Sequence, residues 1–352
     1  MSDGKITIYD LAEAAGVSIA TVNRALYNKP RVSEETRERI TALAEEMGYT
    51  ANRAAQALSR NPITIGVLLT RSIPEVSEEA LKGINNAMDS LKSMNVKSKV
   101  VTVERGSDVS GSDVAAYKRL VSAGCKGIVI LSGSKLDGLR QAISAAKNDG
   151  VLTATLITDI PESERVLSVR SNGFCAGEMA AEEFSKLCPN KTVAVFASSK
   201  EVPICTETLS GFLSGCKRFG ITPGHVFENY DDPDAAEKAV DKLKDEYPET
   251  GGIYICSANS QSACERLCEL GISDRYKIVA TDLFSSISRN IISGVISSTI
   301  FQHIKEQGEI AVKTLYRMLT GEEPANAREI LLVPELVMRS NIEPVIKREE
   351  NK

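Results

Sequence analysis

"AGVSIATVNRAL", residues 15–26, is a glycine turn followed by one short amphipathic segment. What precedes and follows it fixes its reading. Thr7 and Asp10 are spaced as a T-x-x-D capping box, which predicts a helix from about Ile8 to Ala15 that Gly16 ends. Ser18 then caps a second helix, "IATVNRAL". Two helices joined by a glycine-containing turn make a helix-turn-helix. On the second helix Val22, Ala25 and Leu26 share one face and are expected to pack inward. Ile19, Ala20, Asn23 and Arg24 fall on the other face or at the N-terminal tip. A third helix starts at Ser33, with Glu34 and Glu35 where the helix dipole favours them. Its apolar stripe, Ile40, Leu43, Ala44 and Met47, has helical spacing.

Charge does not settle what these three helices do. The chain carries a formal −5, and residues 1–61 hold eight Lys or Arg against eight Asp or Glu, so the module is neutral. A basic domain is the usual footprint of a nucleic-acid binder, and that footprint is absent. The distribution is more telling. Acidic residues fall on the first and third helices, while Arg24, Lys29, Arg31, Arg53 and Arg60 fall on the second helix, the loop after it and the end of the module. Motif and charge leave two readings open, a DNA-binding module and a protein-docking one.

Beyond Pro62 the style changes. Short apolar runs, "TIGVLLT", "KSKVVTV", "GIVILS", "LTATLIT", "TVAVFAS", "GGIYICS" and "YKIVATD", alternate with amphipathic stretches such as "DAAEKAVDKLKDEY". That alternation means βαβ units and parallel sheets. The remaining length is too great for one such sheet, so two Rossmann-like lobes with a cleft between them are expected. No apolar run is long enough to span a membrane. The first residues lack the apolar core of a signal peptide, which makes the cytoplasm the expected location. The eight cysteines show no C-x-x-C pair, and Cys264 and Cys268 read as core packing, so no metal site and no cofactor are expected. With two histidines far apart, and no G-x-G-x-x-G, P-loop, G-x-S-x-G or H-E-x-x-H, an enzyme is not expected. The last residues, "KREENK", are expected to fray.

Residues 6–59, "ITIYDLAEAAGVSIATVNRALYNKPRVSEETRERITALAEEMGYTANRAAQALS", resemble the DNA-binding headpiece and hinge of the LacI/GalR family of bacterial transcription regulators almost without a gap. The body, from 62 to about 340, resembles that family's two-lobed, type I periplasmic-binding-protein-like effector domain. The resemblance implies an all-α helix-turn-helix headpiece (1–49), a hinge helix or linker (50–61) and an α/β effector-binding and dimerisation domain (62–352). The lobes are expected at about 62–162 with 303–323, and 163–302 with 324–340. It implies a repressor that binds a pseudo-palindromic double-stranded DNA operator as a homodimer or tetramer, under control of a small-molecule effector, a sugar or related polyol. The alternative is a solute-binding or enzymatic α/β protein with a helical docking module.

Site residues follow from both readings. Ile19, Ala20 and Asn23 are expected at base edges, Arg24 at a guanine or phosphate, and Ser18 and Thr21 at phosphate. Thr7, Asn28, Arg53 and Leu58 complete the DNA set, with Leu58 as an apolar wedge in the minor groove. Residues 52–59 are too few for a helix that stands alone, so the hinge is expected to fold only on DNA. Effector contacts are expected where loops leave the carboxyl ends of strands: Ser72, Ser132, Asp159, Asn259, Asp282 and Gln302. The last, with Asn259 and Asp282, matches polar positions that hold effectors in the family. Phe174, Phe284 and Phe301 are apolar-wall or core candidates. Three positions depart from the family pattern. Asn23 stands where Ser is usual, Thr208 where an Arg is frequent, and Asn172-Gly173 where Asp-Asn is frequent.

Overall fold

The computed structural model describes residues 6–26, 30–49, 61–104, 109–132, 136–229, 231–257 and 260–351. The expectations placed on Asn28, Arg53, Leu58, Asn259 and nearly all of the hinge at 50–61 lie outside these residues. The chain divides into two compact units near Pro62 and Ile63.

The first unit is three helices, α1 (Ile8–Ala15), α2 (Ile19–Leu26) and α3 (Glu34–Glu46). The capping box forms as the sequence predicts: Asp10 N–H donates to Thr7 Oγ1, and Thr7 N–H donates back to Asp10 Oδ2 at 2.7 Å. Gly16, at φ 62°, adopts the left-handed turn that a glycine permits without steric cost. Leu11, Ala15, Val22, Ala25, Ile40 and Ala44 form the small core, and Leu26, Leu43 and Met47 pack against it. Two arginines of α3 complete the module in a way the spacing does not announce. Arg37 donates to the carbonyls of Arg24 and Ala25, and Arg39 to that of Ala15. Cations at the C-terminal ends of α1 and α2 satisfy carbonyls that helix geometry leaves open.

The second unit holds two six-stranded sheets. The first runs β11-β5-β4-β3-β1-β2, from β1 (Ile63–Arg71), β2 (Val96–Glu104), β3 (Gly127–Leu131), β4 (Leu152–Leu156), β5 (Leu167–Ser171) and β11 (Arg328–Leu332), all parallel. The second runs β12-β10-β9-β8-β6-β7, from β6 (Thr192–Ala197), β7 (Thr222–Glu228), β8 (Thr250–Ile255), β9 (Lys277–Thr281), β10 (Ser298–Phe301) and β12 (Glu335–Met338). Only β12 runs antiparallel, against β10. Helices cover the sheets, as parallel strands buried on both faces require.

The expected lobe boundaries need correction. β5 pairs with β4 and with β11, so residues 163–171 and 324–332 belong to the first lobe, not the second. An ion pair from Arg165 to Glu329, at 3.2 Å, adds to that pairing. The chain therefore crosses between lobes after β5, after β10 and between β11 and β12. The tail also departs from expectation. A helix runs from Ile342 to Glu350, with Ile342 and Val345 buried and Arg348 paired to Glu335.

Candidate functional site

In the headpiece the second helix presents the residues the sequence singled out. Val22 and Ala25 turn to the core, and Ser18 and Ala20 are exposed. Thr21, Asn23 and Arg24 are half-exposed, while Ile19 divides its side chain between the surface and the core cluster. Ser18 Oγ accepts from Thr21 N–H at 3.2 Å and meets Thr21 Oγ1 at 3.0 Å, so the two hydroxyls sit together at the start of α2. Thr7, at the start of α1, is exposed but occupied by Asp10. Tyr9, 69% exposed in the first turn of α1, was not singled out by motif or charge. Helix tip, short polar side chains and Arg24 make a surface suited to phosphate and base edges.

In the body a cavity of about 310 Å³ opens between the lobes. It is lined by Thr70, Ser72, Ser132 and Thr158 of the first lobe and by Ser198, Thr208, Asp231, Ser257 and Asp282 of the second, with Gln302 at the crossover. Ser72, Ser132, Asp282 and Gln302 are thus brought together as expected. Strand ends position them. Asp282 follows β9, its N–H donating to Ile300 and its carbonyl accepting from Thr299 Oγ1 at 2.6 Å. Gln302 is steadied by Gln307, whose side-chain amide donates to its carbonyl. Ile157, Asp231 and Asp282 all have left-handed backbones, at φ 68°, 55° and 69°. Such strain in non-glycine residues gathers at functional sites.

Asp282 is only half satisfied. Gln302 Nε2 donates to its Oδ2 at 3.2 Å, while Oδ1 has no hydrogen-bond partner, although the residue is only 2% exposed. Burial pushes its pKa up to about 7 against the opposing bonds from Gln302, and the charge of Glu79 adds to the rise. Thr158 Oγ1 and Ser257 Oγ are likewise buried and unpartnered.

Asp159 corrects the expectation placed on it. It does not line the cavity. Arg165 donates to both of its oxygens, at 2.5 and 2.6 Å, and Thr155 and the Ile160 N–H add two more bonds. Burial raises its pKa, but these bonds and the Arg165 charge outweigh that and hold it below the usual carboxylate range. Asp159 fastens the first lobe together. Phe284 and Phe301 line a different hollow, of about 520 Å³, with Lys82 and Lys305, and Phe174 lies at the surface. Sequence reasoning missed Thr158, Asp231 and Ser257. Asp231 sits in "YDDPD", where the neighbouring Asp232 caps a helix and hides it.

The two body departures from the family pattern meet in space. A Cβ on Gly173 would lie 2.7 Å from Ile204 Cδ1 and 2.9 Å from Thr208 Oγ1. A side chain at 173 requires Ile204 and Thr208 to shift. Asn172 caps the helix Gly173–Leu187 through a bond from Cys175 N–H.

Comparison with known proteins decides the family. Residues 65–323 match the periplasmic binding protein domain, and residues 7–52 match the bacterial regulatory proteins of the lacI family. The chain belongs to the lacI family of bacterial regulatory proteins. It is a DNA-binding transcriptional regulator, and its curated relatives are regulators rather than enzymes. It is 25% identical to the regulator DegA of Bacillus subtilis over 97% of this chain and 99% of that one. It is 26% identical to the probable repressor ExuR of the same species, over 63% of each, and so spans just under two thirds of that relative. The fold matches the lac repressor dimer bound to operator and an anti-inducer, with TM-score 0.68 and 22% identity over 96% of this chain and 99% of that one. It also matches a solute-binding protein of Burkholderia graminis in complex with D-arabinose, with TM-score 0.73 and 22% identity over 80% and 97%. Among the described residues no helix is long and apolar enough to cross a membrane, and no group of three metal-ligating side chains comes together.

Proposed function

We propose that this lacI-family regulator is a homodimeric repressor whose hold on a pseudo-palindromic operator is set by a small polyhydroxylated molecule in the interlobe cavity. The observation that carries the reading is the set of buried, unpartnered polar atoms from both lobes around one cavity: Thr158 Oγ1, Ser257 Oγ and Asp282 Oδ1. Buried polar atoms without partners are costly, and a ligand rich in hydroxyls would satisfy them. A ligand that touches both lobes favours their closed arrangement by its differential affinity. The D-arabinose held by a protein of the same fold supports the ligand class.

On the DNA side, Asn23 is assigned to an adenine edge, Ile19 and Ala20 to thymine methyls, and Ser18, Thr21 and Thr7 to phosphates. Arg24 takes a guanine or a phosphate. The segment 50–61 is assigned the coupling, with Leu58 in the minor groove. A gel-shift titration of promoter DNA, with and without sugars and polyols, tests the whole. Ligand-sensitive retardation is expected. Asn23→Ala should lose roughly 1–3 kcal/mol on operator and little on random DNA. Equal losses on both would reduce Asn23 to a backbone contact.

A further inference from the structure

Four hydroxyls that line the cavity are oriented in one sense. Thr70 and Ser132 line it, and both give their hydroxyl hydrogens to Asp113, at 2.8 and 2.9 Å. Ser198 gives its hydrogen to Asp231, and Thr281 to the carbonyl of Ile255 at 2.9 Å. A hydroxyl has one hydrogen and two lone pairs, so each of these groups turns only acceptor capacity toward a ligand. Asp282 Oδ1 adds a buried acceptor with no partner. The described residues lining the cavity include two carboxylates, Asp231 and Asp282, and no Lys, Arg or His. A third carboxylate, Asp113, stands behind Thr70 and Ser132.

We propose that the effector is an organic cation, a hydroxylated primary amine of single-ring size, of the amino-sugar class, whose ammonium group is taken by Asp282 Oδ1. This rests on the reading of the cavity as the effector site. An ammonium group offers three donors and no acceptor, the complement of this wall. A neutral polyol also donates, but it brings no counter-charge. Closing two lobes over buried carboxylates without one is unfavourable. Burial raises the Asp282 carboxyl to about 7, so a cation beside it would favour its ionised form. The ligand's hydroxyls are met by Thr158 and Ser257, and its carbon skeleton by Ile73, Val76, Val202 and Ile204. A volume of about 310 Å³ lies at the small end for ligand pockets, which suits one ring and not two.

The test is calorimetric titration of the full chain with matched triplets: D-glucosamine, D-glucose and D-glucuronate, and the same three forms of galactose. An amino sugar is expected to bind at least roughly tenfold tighter than its neutral parent, the worth of one charge-assisted bond, and the uronate not at all. Asp282→Asn and Asp231→Asn, each checked for folding by circular dichroism, should erase most of the preference for the amine. A neutral sugar that binds as tightly as its amine, or a uronate that binds, overturns the cation and leaves the sugar-responsive regulator standing. Absence of binding from all three charge classes, with operator binding intact, overturns the cavity reading and the cation together.

Discussion

In the first lobe Asp113, behind the cavity wall, has a hydroxyl on each oxygen, from Thr70 and Ser132. In the second lobe Asp282 has one oxygen bonded to Gln302 and the other bare. Both are almost fully buried, and burial raises the pKa of both. The difference lies in who completes the coordination. Protein groups finish Asp113, which joins the helix Val109–Ser122 to the ends of β1 and β3 and so shapes one wall. Asp282 lines the cavity and keeps one oxygen without a partner. On the function proposed above, the first carboxylate holds a lobe together and the second is completed by the effector.

That contrast can be broken with two substitutions that should move different quantities. Asp282→Ala is expected to have the larger effect, and on binding: a loss of roughly a hundredfold in effector affinity, about 3 kcal/mol for a buried charged contact. Folding stability should change by less than about 1 kcal/mol, because removal of an unsatisfied oxygen is offset by the Gln302 amide left without its acceptor and by an alanine at φ 69°. Unchanged effector affinity in that variant would mean the cavity is not where the effector sits. Asp113→Ala should do the reverse. It leaves the hydroxyls of Thr70 and Ser132 without their acceptor in a buried place, at a cost of about 2–3 kcal/mol in urea unfolding. A loss under about 0.5 kcal/mol, the range of an ordinary surface substitution, would show that the wall does not depend on it.

The two carboxylates were not equally legible. "VATDLF" and "LITDIP" carry the same local sign, an Asp just after a buried strand, yet Asp282 lines the cavity and Asp159 does not. What separates them is Arg165, six residues beyond Asp159, whose guanidinium reaches back to it. A sequence shows that an arginine is near in the chain and does not show where its side chain ends. Asp113 lies within the helix Val109–Ser122, and nothing local says it is buried. The headpiece was legible for the opposite reason: the Thr7 box, Gly16, the Ser33 cap and the stripe on α3 all act within a few residues of one another. In the body, strands buried on both faces, such as Gly127–Leu131, announce themselves by composition. The lobe to which "LSVRS" belongs is set by which strands it pairs with, β4 on one side and on the other a strand some 160 residues away, and no local pattern encodes that choice.

A smaller effect, in pH, sharpens the comparison further. The Asp282 carboxyl is protonated up to about 7 in the folded chain and releases its proton near 3.8 when unfolded. Between those values the folded state binds the proton that the unfolded state has lost, so stability falls as pH rises through the window and levels off above it. Asp113, also raised, adds a slope of the same sign. Asp159, held low by Arg165, acts in the other direction and only below the ordinary carboxylate range, outside this window. Charged and titratable groups around Asp282 include Glu79, on the helix Pro74–Ser90, and Tyr254, on β8. Tyr254, raised well above its ordinary value by burial, stays neutral throughout and does not supply the slope. With relaxation of the protein around the charge, the swing from pH 5 to pH 8 is expected on the order of 1–2 kcal/mol rather than the figure for a rigid, dry interior. Urea unfolding at pH 5, 6, 7 and 8 measures it. Asp282→Asn should flatten most of the curve and Asp113→Asn much less, because the bonds from Thr70 and Ser132 favour the ionised form of Asp113 and Asp282 has only Gln302. If Asp113→Asn flattens it more, the first lobe holds the titrating proton, and the division between a finished and a waiting carboxylate is drawn at the wrong residue.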